Sequence, residues 1–188
     1  MLTNWVRVAW QRKLVLPVLL LGALVIAGVA FSASGPSAQL ASQTRVYGGG
    51  SFTPFDTTHP QRSFAVDAHA NGPSAFGDVE FGTASTYRHE QVLCLNVSGN
   101  KAAVGGVITQ SNDPEIVGWL VLWVVADNGT PNSGTPDQAT FQLLGPANDP
   151  AWPTGFPSTC PSPDAAIATF QLDSFSFNGG DVVVQKAN

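Results

Sequence analysis

From Thr44 onward the chain is written in short runs of alternating apolar and polar residues, separated by Gly, Asn, Asp and Pro, and no run carries helical periodicity. Phe64, Val66 and Ala68 alternate with Ser63, Asp67 and His69, and Val79 and Phe81 alternate with Asp78 and Glu80. Leu93, Leu95 and Val97 alternate with Cys94 and Asn96. A period of two puts successive side chains on opposite faces, so the first member of each set is expected in a core and the second outside it. The pattern predicts strands at 44–53, 62–69, 75–83, 90–98, 101–110, 116–127, 138–144 and 181–186, with one more at 166–177. Ser98-Gly99-Asn100 leaves room only for a tight hairpin, which makes neighbouring strands antiparallel. The expected fold is all-β: an antiparallel meander of about eight strands in a closed or nearly closed β-barrel, with a two-sheet β-sandwich as the alternative.

The segment before Thr44 is of another kind. Residues 1–13 hold Arg7, Arg12 and Lys13 and no acid, and an apolar run from Leu14 to Phe31 follows. A basic flank stays on the cytoplasmic side while the apolar run enters the bilayer as a leader helix, so the rest of the chain is expected outside. Residues 1–38 are read as a signal peptide or signal anchor with a short linker, and 39–188 as a single extracellular β-domain. Ala30-Phe31-Ser32 and Ser32-Ala33-Ser34 offer small-x-small cleavage patterns, whereas the run is also just long enough to span and be kept. Contact with a membrane is expected only through this segment.

An oxidising exterior makes a disulfide between Cys94 and Cys160, the two cysteines of the chain, the default expectation. Cys160 lies in a strap at 145–165 with six prolines, which keep it out of a central ladder. The run Ile116 to Asp127 is apolar on both sides, with Trp119, Val121, Trp123 and Val125 on one and Leu120, Leu122 and Val124 on the other. Such a strand needs cover on its outer side, and the strap, anchored by Trp152 and Phe156 and tied to Cys94, is expected to supply it. Gly105 and Gly106 are expected to leave room for one of the indoles.

Charge narrows the partners. The chain carries −5, and residues 1–38 hold three of its eight basic residues and none of its thirteen acidic ones, so the domain beyond them carries −8. That sign repels phosphate backbones, and nucleic-acid binding is not expected. The sign suits a cation or a basic partner, although plain solubility explains it as well; a cell-envelope component or a carbohydrate is the expected partner.

Candidate chemistry is sparse. Asp127, Asn128, Asn132 and Asp137 concentrate oxygen ligands in one loop, as a calcium ion would need, although Asn-Gly, Pro and Asp at these positions also suit ordinary turns. No other cofactor is expected. Trp119 and Trp123, four apart on a strand and about 13 Å from each other, form a candidate sugar-stacking platform with Trp152 and Phe156, against which stands plain core packing. His59, His69 and His89 have no metal-binding spacing. Asp78 and Glu80 share one strand side, as a glycosidase pair could, but polar alternation accounts for them too. Asn96-Val-Ser98 and Asn128-Gly-Thr130 match the glycosylation sequon.

Four motifs in order carry a resemblance: Val46-Tyr-Gly-Gly-Gly-Ser-Phe52; Val92-Leu-Cys-Leu-Asn-Val-Ser-Gly-Asn-Lys-Ala102 leading to Gly105-Gly106; Asp127-Asn-Gly-Thr-Pro-Asn-Ser-Gly134; and Gly179-Gly-Asp-Val-Val-Val184. Together they resemble an exported all-β domain found in secreted bacterial, actinobacterial-type proteins of uncharacterised function, over nearly the whole of 39–188. The resemblance implies a secreted β-module and brings no catalytic residues. The expected function is a non-enzymatic, secreted or envelope-tethered domain with a structural or binding role. A small-ligand or carbohydrate-binding module is the alternative, and a hydrolase built on Asp78, Glu80 and a histidine the least favoured.

Overall fold

The computed structural model describes residues 43–55, 58–130 and 134–187. The leader helix and cleavage patterns expected within 1–38 lie outside them. The described chain forms β1 (Thr44–Phe52), β2 (Arg62–Asn71), β3 (Ser74–Gly82), β4 (Tyr87–Ser98), β5 (Lys101–Ser111), β6 (Leu120–Ala126), β7 (Gln138–Thr140), β8 (Leu143–Gly145), α1 (Pro163–Phe170), β9 (Ser174–Ser176) and β10 (Gly179–Gln185). All pairings are antiparallel, in the order β10-β1-β2-β3-β4-β5-β6-β7-β9, with β8 also on β6. The sheet curls into an open half-barrel rather than a closed barrel or a two-sheet sandwich.

The concave face holds the core. Val46, Phe52, Phe64, Val66, Val79, Phe81, Val104, Trp123, Val125, Phe177 and Val182 pack there, as period-two alternation requires. Trp123 is fully buried and meets Phe64 edge-on at 5.1 Å, while Phe64 meets Phe177 at 5.2 Å. Each such side chain contributes about 1.5–3 kcal/mol by leaving water. The β4–β5 hairpin closes through Gly99, whose φ of +60° is open to glycine at no steric cost.

β4 departs from simple alternation at Leu93. Val92 pairs with Gly106 and Cys94 with Gly105, so Leu93 is an unpaired bulge residue. Val92 therefore takes the inward place expected of Leu93, whereas Leu95 and Val97 keep theirs. Cys94 faces outward, and there it is bonded to Cys160 across a sequence separation of 66 residues. The chain-entropy model gives a loop of that size about 4 kcal/mol of stabilisation.

On the outer face Cys94, Ala103, Leu122 and Val124 form a second cluster with Cys160, Trp152 and Phe156. β6 is thus buried on both faces, by the core within and the strap without. Gly105 seats the strap, not an indole: a Cβ there would lie 2.5 Å from Phe156 Cε2 and 2.6 Å from Cys94 Sγ. Asn96 Nδ2 donates to the Cys160 carbonyl at 3.2 Å, adding a polar tie.

The expected strand at 166–177 divides into α1 and β9. Ser162 caps the helix by accepting from Ala165 N at 3.3 Å, Pro163 follows with its φ preset, and Gln171 ends it in the left-handed region. The strand expected from 116 begins only at Leu120, because Pro114–Ile116 form a 3-10 turn capped by Asp113. The strand expected at 138–144 is two short ones, β7 and β8, both laid along β6.

Carboxylates bridge the mouth of the half-barrel. β10 pairs with β1 on one side only, and the N–H groups of Val182 and Val184 on its other side donate to Asp137 Oδ2 (2.8 Å) and Asp127 Oδ2 (3.1 Å). Two side chains stand where a neighbouring strand would put carbonyls, which satisfies the edge and hides it from other chains.

Candidate functional site

The outer faces of β2, β3, β4 and β5 enclose a surface cleft of about 450 Å³, lined among others by Ser63, Ala65, Glu80, Tyr87, His89 and Gln110. Register brings them together. Glu80 pairs with both Ala65 and His89, and His89 with Gln110, so one row crosses four strands. A second bulge sharpens the row: His89 pairs with Gln110 and Glu90 with Ile108, leaving Thr109 unpaired and both Thr109 and Gln110 exposed.

Tyr87 heads the cleft and is 57% exposed, one of the few large apolar side chains left in water. Its backbone is held firmly. Thr83 Oγ1 accepts from the N–H of Ser85 (3.2 Å) and of Thr86 (3.1 Å), folding the β3–β4 turn. Asn112 then clamps that turn, donating to Ser85 O at 2.8 Å and accepting from Tyr87 N at 3.0 Å. His89 is held between strands, with Nδ1 3.2 Å from Thr109 Oγ1 and Nε2 3.7 Å from Asp78 Oδ1. Asp78, Glu80 and His89, which alternation alone explains as a wet face, are thereby gathered on one side of the sheet.

Directly beneath, on the concave face, lies a buried polar group. Arg88 Nε donates to Glu90 Oε1 and to Gln142 Oε1, each at 2.9 Å, Arg88 Nη2 also contacts Gln142 Oε1, and Gln142 Nε2 donates to Glu90 Oε2 at 3.1 Å. The Arg88 guanidinium lies over the Phe81 ring, 4.6 Å from its centroid. Burial pushes the Glu90 carboxyl up to about 7, against the opposing pull of Arg88 and Gln142. Burial likewise lowers the pKa of Arg88, partly countered by Glu90.

The proposed stacking platform is not assembled. Trp123 points into the core, and Trp119 lies before β6, its N–H bonded to Ile116 O and its carbonyl to Ile108 N. Trp152 and Phe156 stack on each other at 4.8 Å against the outer cluster, and Trp152 Nε1 donates to Pro146 O at 3.0 Å. A planar platform needs faces side by side; these four residues occupy three separate places.

Of the calcium candidates, Asn132 lies outside the described residues. Asp127 and Asp137 spend all four carboxylate oxygens on main-chain N–H groups: Gly129 and Val184 for the first, Asn128 and Val182 for the second. Asn128 Nδ2 donates to Pro136 O at 2.8 Å. Among the described residues no group of three or more His, Cys, Asp or Glu is placed to hold a metal ion. Asp181 stands nearby, its pKa raised by desolvation and then by Asp137 and Asp127. His59 packs against Phe55, and His69 bonds Asp67 at 2.8 Å and stacks on Phe76, so the three histidines remain apart.

No protein-family model matches the chain, and no curated protein or solved structure does so either.

Proposed function

We propose that this chain is an exported, non-enzymatic β-domain that acts by binding at the cell envelope, with the outer cleft as the surface that meets the partner. The basic and apolar N-terminus, the resemblance to secreted bacterial β-domains and the Cys94–Cys160 bond support export. The observation that carries the binding role is Tyr87: an exposed aromatic ring on a clamped turn, beside convergent polar side chains in a cleft of about 450 Å³. Rigid backbone under an exposed anchor lowers the ordering cost of association. Binding is favoured over hydrolysis because Asp78 and Glu80 stand exposed on one wet strand side, as polar alternation requires, and only Glu80 of the two lines the cleft.

The test is retention of the purified domain on washed envelope material, comparing the natural chain with Tyr87→Ala. The proposal expects retention to fall at least about tenfold in the variant, the loss of about 1.4 kcal/mol. Equal retention of the two would contradict it.

A further inference from the structure

We infer that the cleft takes a saccharide, neutral or amino-substituted, with one sugar ring laid against Tyr87. This rests on the binding role proposed above and names the ligand class. Three properties of the site select it. The first is shape: a cleft of about 450 Å³ is ample for a short oligosaccharide, and Ala65, with Gly49 paired on its other side, keeps the β2 end of the row low. The C–H face of a pyranose packs on an aromatic face, and Tyr87 offers one that no protein group covers fully.

The second is hydrogen-bonding character. Ser63 and Gln110 each donate and accept, His89 does both when neutral, and Glu80 accepts only. A sugar hydroxyl also donates and accepts, so a polyol can match this mixture in many orientations. A wholly apolar ligand would strip water from the four groups and leave them unpaired, at about 1–3 kcal/mol for each group fully buried.

The third is charge. Glu80 lines the cleft, and Asp78 stands 3.7 Å from the His89 ring at its side. Arg88 also lines the cleft, but its guanidinium is engaged by Glu90 and Gln142. An acidic sugar or a phosphate would meet the Glu80 and Asp78 carboxylates with the one arginine of the lining already engaged by Glu90, whereas an amine would find them favourable.

The test titrates the disulfide-bonded domain at neutral pH with the trisaccharides of glucosamine, glucose and galacturonic acid. The glucosamine trimer is expected to bind tightest, the glucose trimer more weakly, and the galacturonate trimer not measurably. Tyr87→Ala should weaken the glucosamine trimer at least about tenfold, Tyr87→Phe should stay within about threefold, and Glu80→Gln should narrow the gap between amine and neutral sugars. Each variant changes an exposed side chain, so an unchanged melting temperature verifies folding. Tightest binding of galacturonate, or indifference to Tyr87→Ala, would overturn the inference. If no trimer binds while envelope retention still depends on Tyr87, the saccharide assignment fails and the binding role stands. If retention ignores Tyr87 as well, both fail.

Discussion

Replacing Asp137 by Ala removes the central clasp of the half-barrel mouth. Asp137 is buried at 4% exposure, and its two oxygens accept from Asn128 N and Val182 N, both at 2.8 Å. A hydrogen bond to a charged acceptor contributes about 1.5–3 kcal/mol, and Val182, fully buried, has no water to replace it. Loss of both bonds should therefore cost about 3–5 kcal/mol. Relief of repulsion on Asp181 opposes this by less than about 1 kcal/mol, because that pair is only partly shielded from solvent. A net loss of roughly 2–4 kcal/mol follows, lowering the melting temperature by about 5–15 °C in a domain of this size. Urea unfolding with the disulfide intact, followed by the fluorescence of buried Trp123, measures it. Asp137→Asn, which keeps one carbonyl acceptor, should fall between the natural chain and Asp137→Ala, and Asp181→Asn should stabilise. A change below about 0.5 kcal/mol in Asp137→Ala would refute the clasp. A gain in stability on adding calcium that Asp137→Ala abolishes would instead assign the loop to metal binding.

Further expectations concern the buried polar group and the strap. Glu90 titrates near 7 in the folded chain against 4.5 when unperturbed, so the folded state holds its proton more tightly. Its contribution is complete below about pH 4.5 and is lost as the pH rises through about 7; a shift of that size corresponds to about 3 kcal/mol, and Glu90→Gln should flatten this part of the stability profile measured by urea unfolding. Gly105→Val should force Phe156 and Cys94 apart, costing about 1–3 kcal/mol and speeding reduction of the disulfide by a mild thiol, as followed by thiol titration. Reducing the bond in the natural chain should lower stability by about 4 kcal/mol, read from the shift in the urea midpoint.

Alternation was enough to place β1, β2, β3 and β5 within a residue or two, because each of these strands has one dry face, whereas β4 begins at Tyr87, three residues before the expected start. The buried double face of β6 and the strap over it were legible for the same reason: Leu122 and Val124 are as apolar as Trp123 and Val125, and the proline-rich segment could not itself join the ladder. What escaped was set by contacts distant in sequence. Nothing around Leu93 marks it as a bulge; the slip falls where Gly105 and Gly106 meet β4. The helix α1 escaped because it is only eight residues long, too short to show a period, and the following Phe175 and Phe177 alternate like a strand. Asp127 and Asp137 had been open to turn or calcium readings, since one oxygen of each bonds a nearby N–H while the other reaches β10, more than forty residues on. The cleft was the least legible. Ser63, Glu80, Tyr87, His89 and Gln110 come from four strands and make no motif, and of these only Glu80, beside Asp78, and His89 stood out beforehand.

The central claim is that binding happens on the outer face of β2 to β5. Backbone amide shifts recorded while the glucosamine trisaccharide is added test it most directly. The account predicts changes at Ser63, Glu80, Tyr87, His89 and Gln110 that disappear in Tyr87→Ala; changes centred instead on Trp152 and Phe156, or on the Asp127 and Asp137 clasp, would contradict it.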